Sequence, residues 1–283
     1  MTDAPPQRRT APTHQGRVLH TERLTPHMIR VVIGGELAGF ATRGLTDHYV
    51  KLLFPQEGVA YPEPFDLAAV RERLPREQWP RTRTYTVRRW DAEARELTVD
   101  FVHHGDEGVA GPWAAAARPG DPVWFSGPGG GYAPEDGADW HLLAGDESAL
   151  PAIAAALERM GDGVTAEVFV EVAGPREEQK LHTPDGVRVR WLHRGDRPVG
   201  EALVEAVRAL EFPPGVPQAF VHGEAHFVKE LRRFLRVEHG LDRDRLSVSG
   251  YWRTGADEDA WQAGKREWNA SVEREQEGGT PAA

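Results

Sequence analysis

PGDPVWFSGPGGGYAPEDGADWHLLAGDESALPAI, residues 119–153, holds the change of texture that decides the fold of this 283-residue chain. PVWFSG (122–127) ends a series of short runs rich in β-branched and aromatic residues, and it reads as a strand. GPGGGYAPEDGAD (127–139) is a turn-rich connector. WHLLAG (140–145) is a short apolar run. SALPAIAAALERM (148–160) then has apolar residues at helical spacing, and GDG (161–163) stops it. The spacing predicts a domain boundary near 134–139.

Upstream, RVLHTERL (17–24), HMIRVVIG (27–34), YVKLLF (49–54), RTYTVRRW (83–90) and LTVDFVH (97–103) read as further strands separated by turn signals. Six such strands predict a small antiparallel barrel or sandwich over 16–134. The charged insertion 64–80 and the segment GVAGPWAAAARPGD (108–121) each read as a short helix. Residues 1–15, rich in Pro, Thr, Arg and Gln, read as a flexible tail. Downstream, TAEVFVEVAG, VRVRWLH, PQAFVHG and RLSVSGYW are strands, and VGEALVEAVRAL and EAHFVKELRRFLRVEHG are helices. Strands alternating with helices predict a parallel α/β domain over 135–250, followed by a C-terminal helix and tail over 251–283. The expected architecture is therefore α+β with two domains.

Composition excludes several chemistries. The chain has no cysteine, which removes disulfides, thiolate metal sites and cysteine nucleophiles together. Its formal charge is −10. Residues 1–120 carry 16 Lys/Arg against 15 Asp/Glu, and residues 121–283 carry 18 against 29. An acidic chain with no basic block predicts neither nucleic-acid binding nor a membrane surface. No run is apolar enough to span a bilayer, and the N-terminus has no apolar secretory core. A cytoplasmic location is the expectation.

Five segments carry candidate chemistry. On RTYT, Arg83 and Tyr85 share one strand face, so a flat ring lies beside a cation. DFVHHGDEGVAGPW (100–113) is a strand that runs through a glycine-rich turn into a helix, an arrangement suited to a diphosphate. Its adjacent His103 and His104 point to opposite strand faces, which argues against a shared metal. The third segment, PGD through SGPGGGY (119–132), reads either as a plain connector or as a loop close to a planar cofactor. LLAGDESALP (142–151) opens the α/β domain where nucleotide phosphates bind, without a strict G-x-G-x-x-G. At the end of the next strand, Glu171 suits a ribose hydroxyl and NADH, whereas Arg176 suits a 2′-phosphate and NADPH. SGYWRTG (249–255) ends the last strand with two aromatics and an Arg that would face the interdomain cleft. Trp261 and Trp268, seven apart, read as a hydrophobic seam on the last helix.

DHYVKLLFP, RTYTVRRWD, VDFVHHGDEGVAGPWA, PGDPVWFSGPGGGY, LLAGDESALPAI and GYWRTGADEDAWQ occur in this order. Together they resemble the siderophore-interacting proteins, FAD-dependent ferric-siderophore reductases of ferredoxin-reductase-like fold, over residues 17 to about 268. The resemblance implies an FAD-binding barrel, an NAD(P)H-binding α/β domain and a ferric siderophore as substrate. It implies FAD contacts at Arg83, Tyr85, Thr86, Val87, Asp100, Phe101, Val102, His104, Gly108, Ala110 and Trp113. For the nicotinamide nucleotide it implies Gly145, Asp146, Glu147, Ser148, Ala149, Glu171, Tyr251 and Trp252. Many ferric siderophores are anionic, and Lys51, Arg253, Lys265 and Arg266 are the cations expected to meet one. NADH, NADPH and a ferredoxin all stay open as electron donor. Two other readings also stand: a flavin reductase acting on a different acceptor, and a siderophore- or flavin-binding protein without turnover.

Overall fold

The computed structural model describes residues 12–277. Seven strands form the first sheet: β1 (Thr13–Thr25), β2 (Met28–Gly34), β3 (Tyr49–Phe54), β4 (Arg81–Thr86), β5 (Arg89–Asp91), β6 (Glu96–Val102) and β7 (Pro122–Gly129), in the order β4-β3-β7-β1-β2-β6-β5. RTYTVRRW, expected as one strand, is two. Its halves pair with β3 and β6, at opposite edges of the sheet. Only Val87 and Arg88 lie between them; the Val87 N–H donates to the His48 carbonyl at 2.6 Å and the Arg88 N–H to the Thr98 carbonyl at 2.9 Å. The crossing curls the sheet into a barrel and removes both free edges over that stretch. Val31, Val50, Val99, Phe101 and Phe125 fill the interior. Helix α2 (Ala110–Ala116) lays Ala110 and Ala114 on that core.

The tail expected over 1–15 does not extend to residues 13–15, which are strand. Residues 1–11 lie outside the described residues, and β1 begins at Thr13, pairing Thr13 with Ser126 and His14 with Phe125. His14 is buried because its ring packs against Phe40 and Phe125, with centroids 5.5 and 5.3 Å away. The 64–80 insertion forms α1 (Leu67–Arg73), capped by the Asp66 carboxylate on the Ala69 N–H.

The second sheet is wholly parallel, with the order β10-β9-β8-β11-β12. Its strands are β8 (Trp140–Gly145), β9 (Ala166–Val172), β10 (Val187–His193), β11 (Pro217–Glu224) and β12 (Leu246–Trp252). Every residue of β8, β9 and β11 is buried, as expected for parallel strands covered on both faces. The covering helices are α3 (Leu150–Arg159), α4 (Glu201–Arg208) and α5 (Ala225–Arg233).

A final helix, α6 (Glu258–Glu277), straps the two halves together. Near its start it bonds β4 through Glu258 and Asp259. At its end, Glu273 pairs with Arg243 and Glu275 with Lys229 of α5. Between these, Trp261 and Trp268 meet edge to face at 5.3 Å. The halves are also joined where Glu177 accepts from the Thr25 hydroxyl at 2.6 Å, and within the barrel half Asp47 accepts from the Gly131 and Tyr132 N–H groups just before the connector. No described helix is long and apolar enough to cross a membrane.

Candidate active site

The carboxyl ends of β8 and β12 face the barrel strands β3, β4 and β6 across a cavity of about 520 Å³, with the start of α6 as a third wall. This is where a parallel α/β sheet offers its loops to ligands. Of the residues expected in a site, Lys51, Tyr85, Thr86, Asp100, Val102, His104, Asp146, Glu147, Ser148, Tyr251, Trp252, Arg253 and Lys265 line it.

Strand alternation sorts the barrel residues. Asp100 and Val102 face the cavity, so Phe101 between them points into the barrel, where it is fully buried. Tyr85 rests on Phe101 with centroids 4.4 Å apart and lines the cavity. Asp100 holds the Arg30 guanidinium through two 2.7 Å hydrogen bonds. Burial lowers the His104 pKa, with Glu147 opposing. Val87, Ala110 and Trp113, expected as cofactor contacts, belong with Phe101 to the barrel core or pack against it. Gly108 precedes α2 and is not among the cavity residues.

Asp146 organises the nucleotide side. Its carboxylate accepts from the Ser148 N–H and hydroxyl, the Glu224 N–H and the Trp252 indole N–H, drawing together the ends of β8, β11 and β12. Burial, and then Glu147, push its pKa up to about 6, while the bonds from Ser148 and Trp252 hold it back. Gly145 and Ala149 are packing residues. A Cβ at Gly145 would lie 2.5 Å from the Ala149 Cβ and 2.7 Å from the His222 carbonyl oxygen, so only glycine lets this turn close. Glu147 pairs with Arg194 at 3.0 Å.

Two expectations are corrected. Glu171 is fully buried, and its carboxylate accepts from the Gly200 N–H at 2.8 Å and the Leu203 N–H at 3.2 Å. It caps α4 and has no oxygen to spare for a ribose. Arg266 is exposed and lies outside the cavity: it follows Lys265 directly, so the helix turns it away from the face that lines the site.

Arg83 is differently engaged from the expectation. Its guanidinium meets Asp259 at 3.0 and 3.2 Å and Glu258 at 3.3 Å, and Glu258 also accepts from the Thr84 N–H at 3.0 Å. Any diphosphate reaching Arg83 shares it with these carboxylates.

The cationic side converges from two elements. Lys51 stands on β3, and Lys265 on α6 donates to the Ser249 hydroxyl at 3.1 Å. Burial lowers the Lys265 pKa; nearby Lys51 lowers it further and Glu258 opposes. Tyr251 lies edge-on to His222 at 5.1 Å, and His222 stacks on Phe220 at 3.8 Å. Burial, then Lys265, push the His222 pKa down to about 3.

Sequence reasoning missed Tyr49, Thr84, Ser249, Glu258 and Gln262, and left Trp261 to the helix seam, although all six line the cavity. Periodicity carried the signal. Tyr49 is two residues before Lys51 on one strand face, and Ser249 two before Tyr251. Glu258, Trp261 and Gln262 lie seven, four and three residues before Lys265 on one helix face.

The donor set fits a flavin: a tyrosine ring backed by Phe101, hydroxyls of Thr84, Thr86 and Tyr251, and cations at one end, in a cavity of ligand size. Sequence models of the siderophore-interacting FAD-binding domain and the siderophore-interacting protein match residues 17–132 and 138–255. The chain belongs to the siderophore-interacting protein family. It is 34% identical over 244 residues to the ferric vibriobactin reductase ViuB of Vibrio cholerae, covering 84% of this chain and 88% of that one. It is 34% identical to the NADPH-dependent ferric-chelate reductase of Escherichia coli, covering 83% and 91%. The crystal structure of the siderophore-interacting protein SipS from Aeromonas hydrophila superposes with a TM-score of 0.79 at 31% identity, covering 92% and 99%. In this siderophore-interacting protein the barrel is thus the FAD-binding half, and the cavity lies between it and the α/β half.

Proposed function

We propose that this siderophore-interacting protein is an FAD-dependent ferric-siderophore reductase fed by NAD(P)H. One observation carries the reading: the flavin-suited wall of β4, the carboxyl ends of β8 and β12, and the lysines Lys51 and Lys265 all open onto one cavity. FAD, when bound, accepts two electrons as hydride and returns them singly, which matches a nicotinamide donor to Fe³⁺. Two ferric chelates are therefore consumed per NAD(P)H, and each Fe²⁺ is held less tightly by hard oxygen ligands and leaves.

The chain's own task is placement. Tyr85 supplies a ring face and the Thr84 and Thr86 hydroxyls line β4, while Arg83 serves a diphosphate only in exchange for Glu258 and Asp259. Asp146 fixes the β8–α3 turn against Trp252, which sets the width of the nucleotide entrance. Lys51 and Lys265 draw an anionic chelate to the cavity rim. No protein acid, base or nucleophile is required. NADPH is the favoured donor: Glu171 is committed to α4, whereas Arg176, beyond the end of β9, is exposed and suits a 2′-phosphate. The cytoplasm, which supplies NADPH, is the location this reading assigns.

The test is anaerobic visible spectroscopy of FAD-loaded protein titrated with NADPH, NADH or reduced ferredoxin. Bleaching of the flavin band at lower NADPH than NADH is expected. Bleaching by ferredoxin alone would replace the nicotinamide donor, and no bleaching by any donor would overturn the reductase reading.

A further inference from the structure

One carboxylate of the α/β half is sealed into the seam between the halves. Glu177 ends the short turn Pro175–Glu177 that follows β9. Its Oε2 accepts from the Thr25 hydroxyl at 2.6 Å and from the His27 N–H at 3.1 Å, and its Oε1 lies 2.9 Å from the His27 Nδ1. All three contacts come from the tip of the β1–β2 hairpin, on the barrel.

Other carboxylates also reach the barrel from outside it. Glu158 of α3 pairs with Arg88, and Glu258 and Asp259 of α6 pair with Arg83. Those three side chains are at least 26% exposed, whereas the Glu177 side chain is 6% exposed. Water screens the exposed pairs. The Glu177 contact resists displacement more strongly, because opening it leaves a buried charge unpaired.

Both ends of this contact lead to the interdomain cavity. On the barrel side, the His27 carbonyl accepts from the His103 N–H at 2.9 Å, and the His27 ring lies 5.8 Å from that of His104, which lines the cavity. On the other side, the chain leading into the turn is tied to the end of β10. There the Arg194 N–H donates to the Val172 carbonyl at 2.9 Å and the Gly195 N–H to the Ala173 carbonyl at 3.1 Å. Arg194 pairs in turn with Glu147 of the cavity at 3.0 Å. Glu177 thus couples the barrel wall of the cavity to the strand ends that face the nucleotide.

Hydride transfer makes this coupling matter. The barrel is the FAD-binding half, and the nicotinamide nucleotide is assigned to the α/β half. The reacting atoms must come within about 3–3.5 Å, and a misplacement of about 1 Å can cost about a hundredfold in rate. We propose that Glu177 is a positioning residue for hydride transfer: it keys the turn after β9 into the β1–β2 hairpin and so sets the two halves at the separation the transfer needs. It touches neither cofactor nor substrate. Electron transfer from flavin to iron does not pass through the nucleotide half, so only the nicotinamide half-reaction should respond. This inference rests on the nicotinamide-fed reductase reading and adds a residue to it.

The chain has no cysteine, so Glu93→Cys on the barrel and Ala209→Cys after α4, both at exposed positions, take one spin label each. In flavin-free protein the distance between the labels should have one narrow distribution. Glu177→Ala should broaden it, and Glu177→Gln, which keeps an acceptor oxygen for Thr25, should broaden it less. In FAD-loaded protein at saturating NADPH, Glu177→Ala should slow single-turnover bleaching of the flavin roughly ten- to a hundredfold. Bleaching by dithionite and reoxidation by a ferric chelate should stay within twofold. Thr25→Val/His27→Ala, which strips the same carboxylate from the barrel side, should slow the same step, and adding it to Glu177→Ala should cost less than a further twofold, as expected of one shared contact. If Glu177→Ala does not fold, Glu177→Gln and Thr25→Val/His27→Ala carry the same comparison. An unchanged distance distribution, an unchanged rate with NADPH, equal slowing of all three flavin reactions, or losses that multiply would overturn the assignment. If neither NADPH nor NADH bleaches the wild-type flavin, the reductase reading falls and takes the inference with it. If wild type bleaches and the variants match it, the positioning role falls alone.

Discussion

Glu258→Gln combined with Asp259→Asn should tighten FAD binding by freeing Arg83. In the structure these two carboxylates hold the guanidinium that a diphosphate would need. The Asp259 contact has two bonds, at 3.0 and 3.2 Å, but the Asp259 side chain is 63% exposed. Screening limits such a pair to about 0.2–1 kcal/mol. Glu258 is more enclosed, at 26% exposure, and bridges Arg83 and the Thr84 N–H. Burial raises its pKa, against the pull of Thr84 and Arg83. A bond to a charged group of this kind is worth roughly 1.5 kcal/mol. Together the competition is about 2 kcal/mol, and since the amide that replaces the Glu258 carboxylate keeps part of the Thr84 contact, the expected gain is about tenfold in Kd. The assay is titration of flavin-stripped protein with FAD, followed by quenching of flavin fluorescence, with riboflavin as a control lacking phosphate. FAD should gain, riboflavin should not, and Arg83→Ala should abolish the difference between variant and parent. An unchanged FAD Kd, or an equal gain for riboflavin, would refute the assignment of Arg83 to a diphosphate.

Gly145→Ala should cost about 1–3 kcal/mol in urea unfolding, because the added methyl meets the Ala149 Cβ and a backbone oxygen that cannot turn away; an unchanged midpoint would show that the β8–α3 turn yields. Asp146→Asn should cost about 1–3 kcal/mol and shift Trp252 fluorescence, since an amide cannot accept from all four of the donors around it; unaltered emission would remove Asp146 as the link to β12. His222 has a folded pKa of about 3 against an ordinary value of 6.5, so the unfolded chain takes up its proton first. The stability it contributes is complete above 6.5 and is lost as pH falls towards 3, by up to about 1.4 kcal/mol per pH unit. Asp146 acts in the opposite sense: its value of about 6 lies above the unfolded 3.8, so stability falls as pH rises through that window. His222→Gln should therefore change the slope of stability against pH between about 4 and 6 by about 1.4 kcal/mol per unit, measured as the difference from wild type. Parallel curves would contradict the burial of a neutral His222.

Much of the fold was legible in the sequence because two periodicities meet at one connector. The β runs before 127 and the helical spacing after 148 led to an antiparallel barrel and a parallel sheet, and both are present. What local pattern could not reveal is which edge a strand joins. RTYTVRRW looks continuous, yet the sheet needs it at both edges, and only the tertiary closure of the barrel splits it at Val87. In the site, the motif residues were found as blocks, whereas a strand presents every second residue. Asp100 and Val102 therefore line the cavity while Phe101 supports it from below. Glu171 shows a different limit. A carboxylate at a strand end reads as a ribose acceptor, and the competing demand of the α4 N-terminus for the same oxygens becomes visible only in three dimensions. The contribution of α6 was half read: its lysine was recognised by charge, but Glu258, Trp261 and Gln262 on the same face were not carried along with it.

The most direct measurement is an anaerobic titration of the NADPH-reduced, FAD-loaded protein with a ferric tris-catecholate chelate, with the flavin band and trapped Fe²⁺ recorded together. The account predicts full return of the oxidised flavin spectrum at two equivalents of iron per flavin, with two equivalents of Fe²⁺ trapped. A flavin that stays bleached in the presence of ferric chelate and returns only with oxygen or a quinone would contradict it.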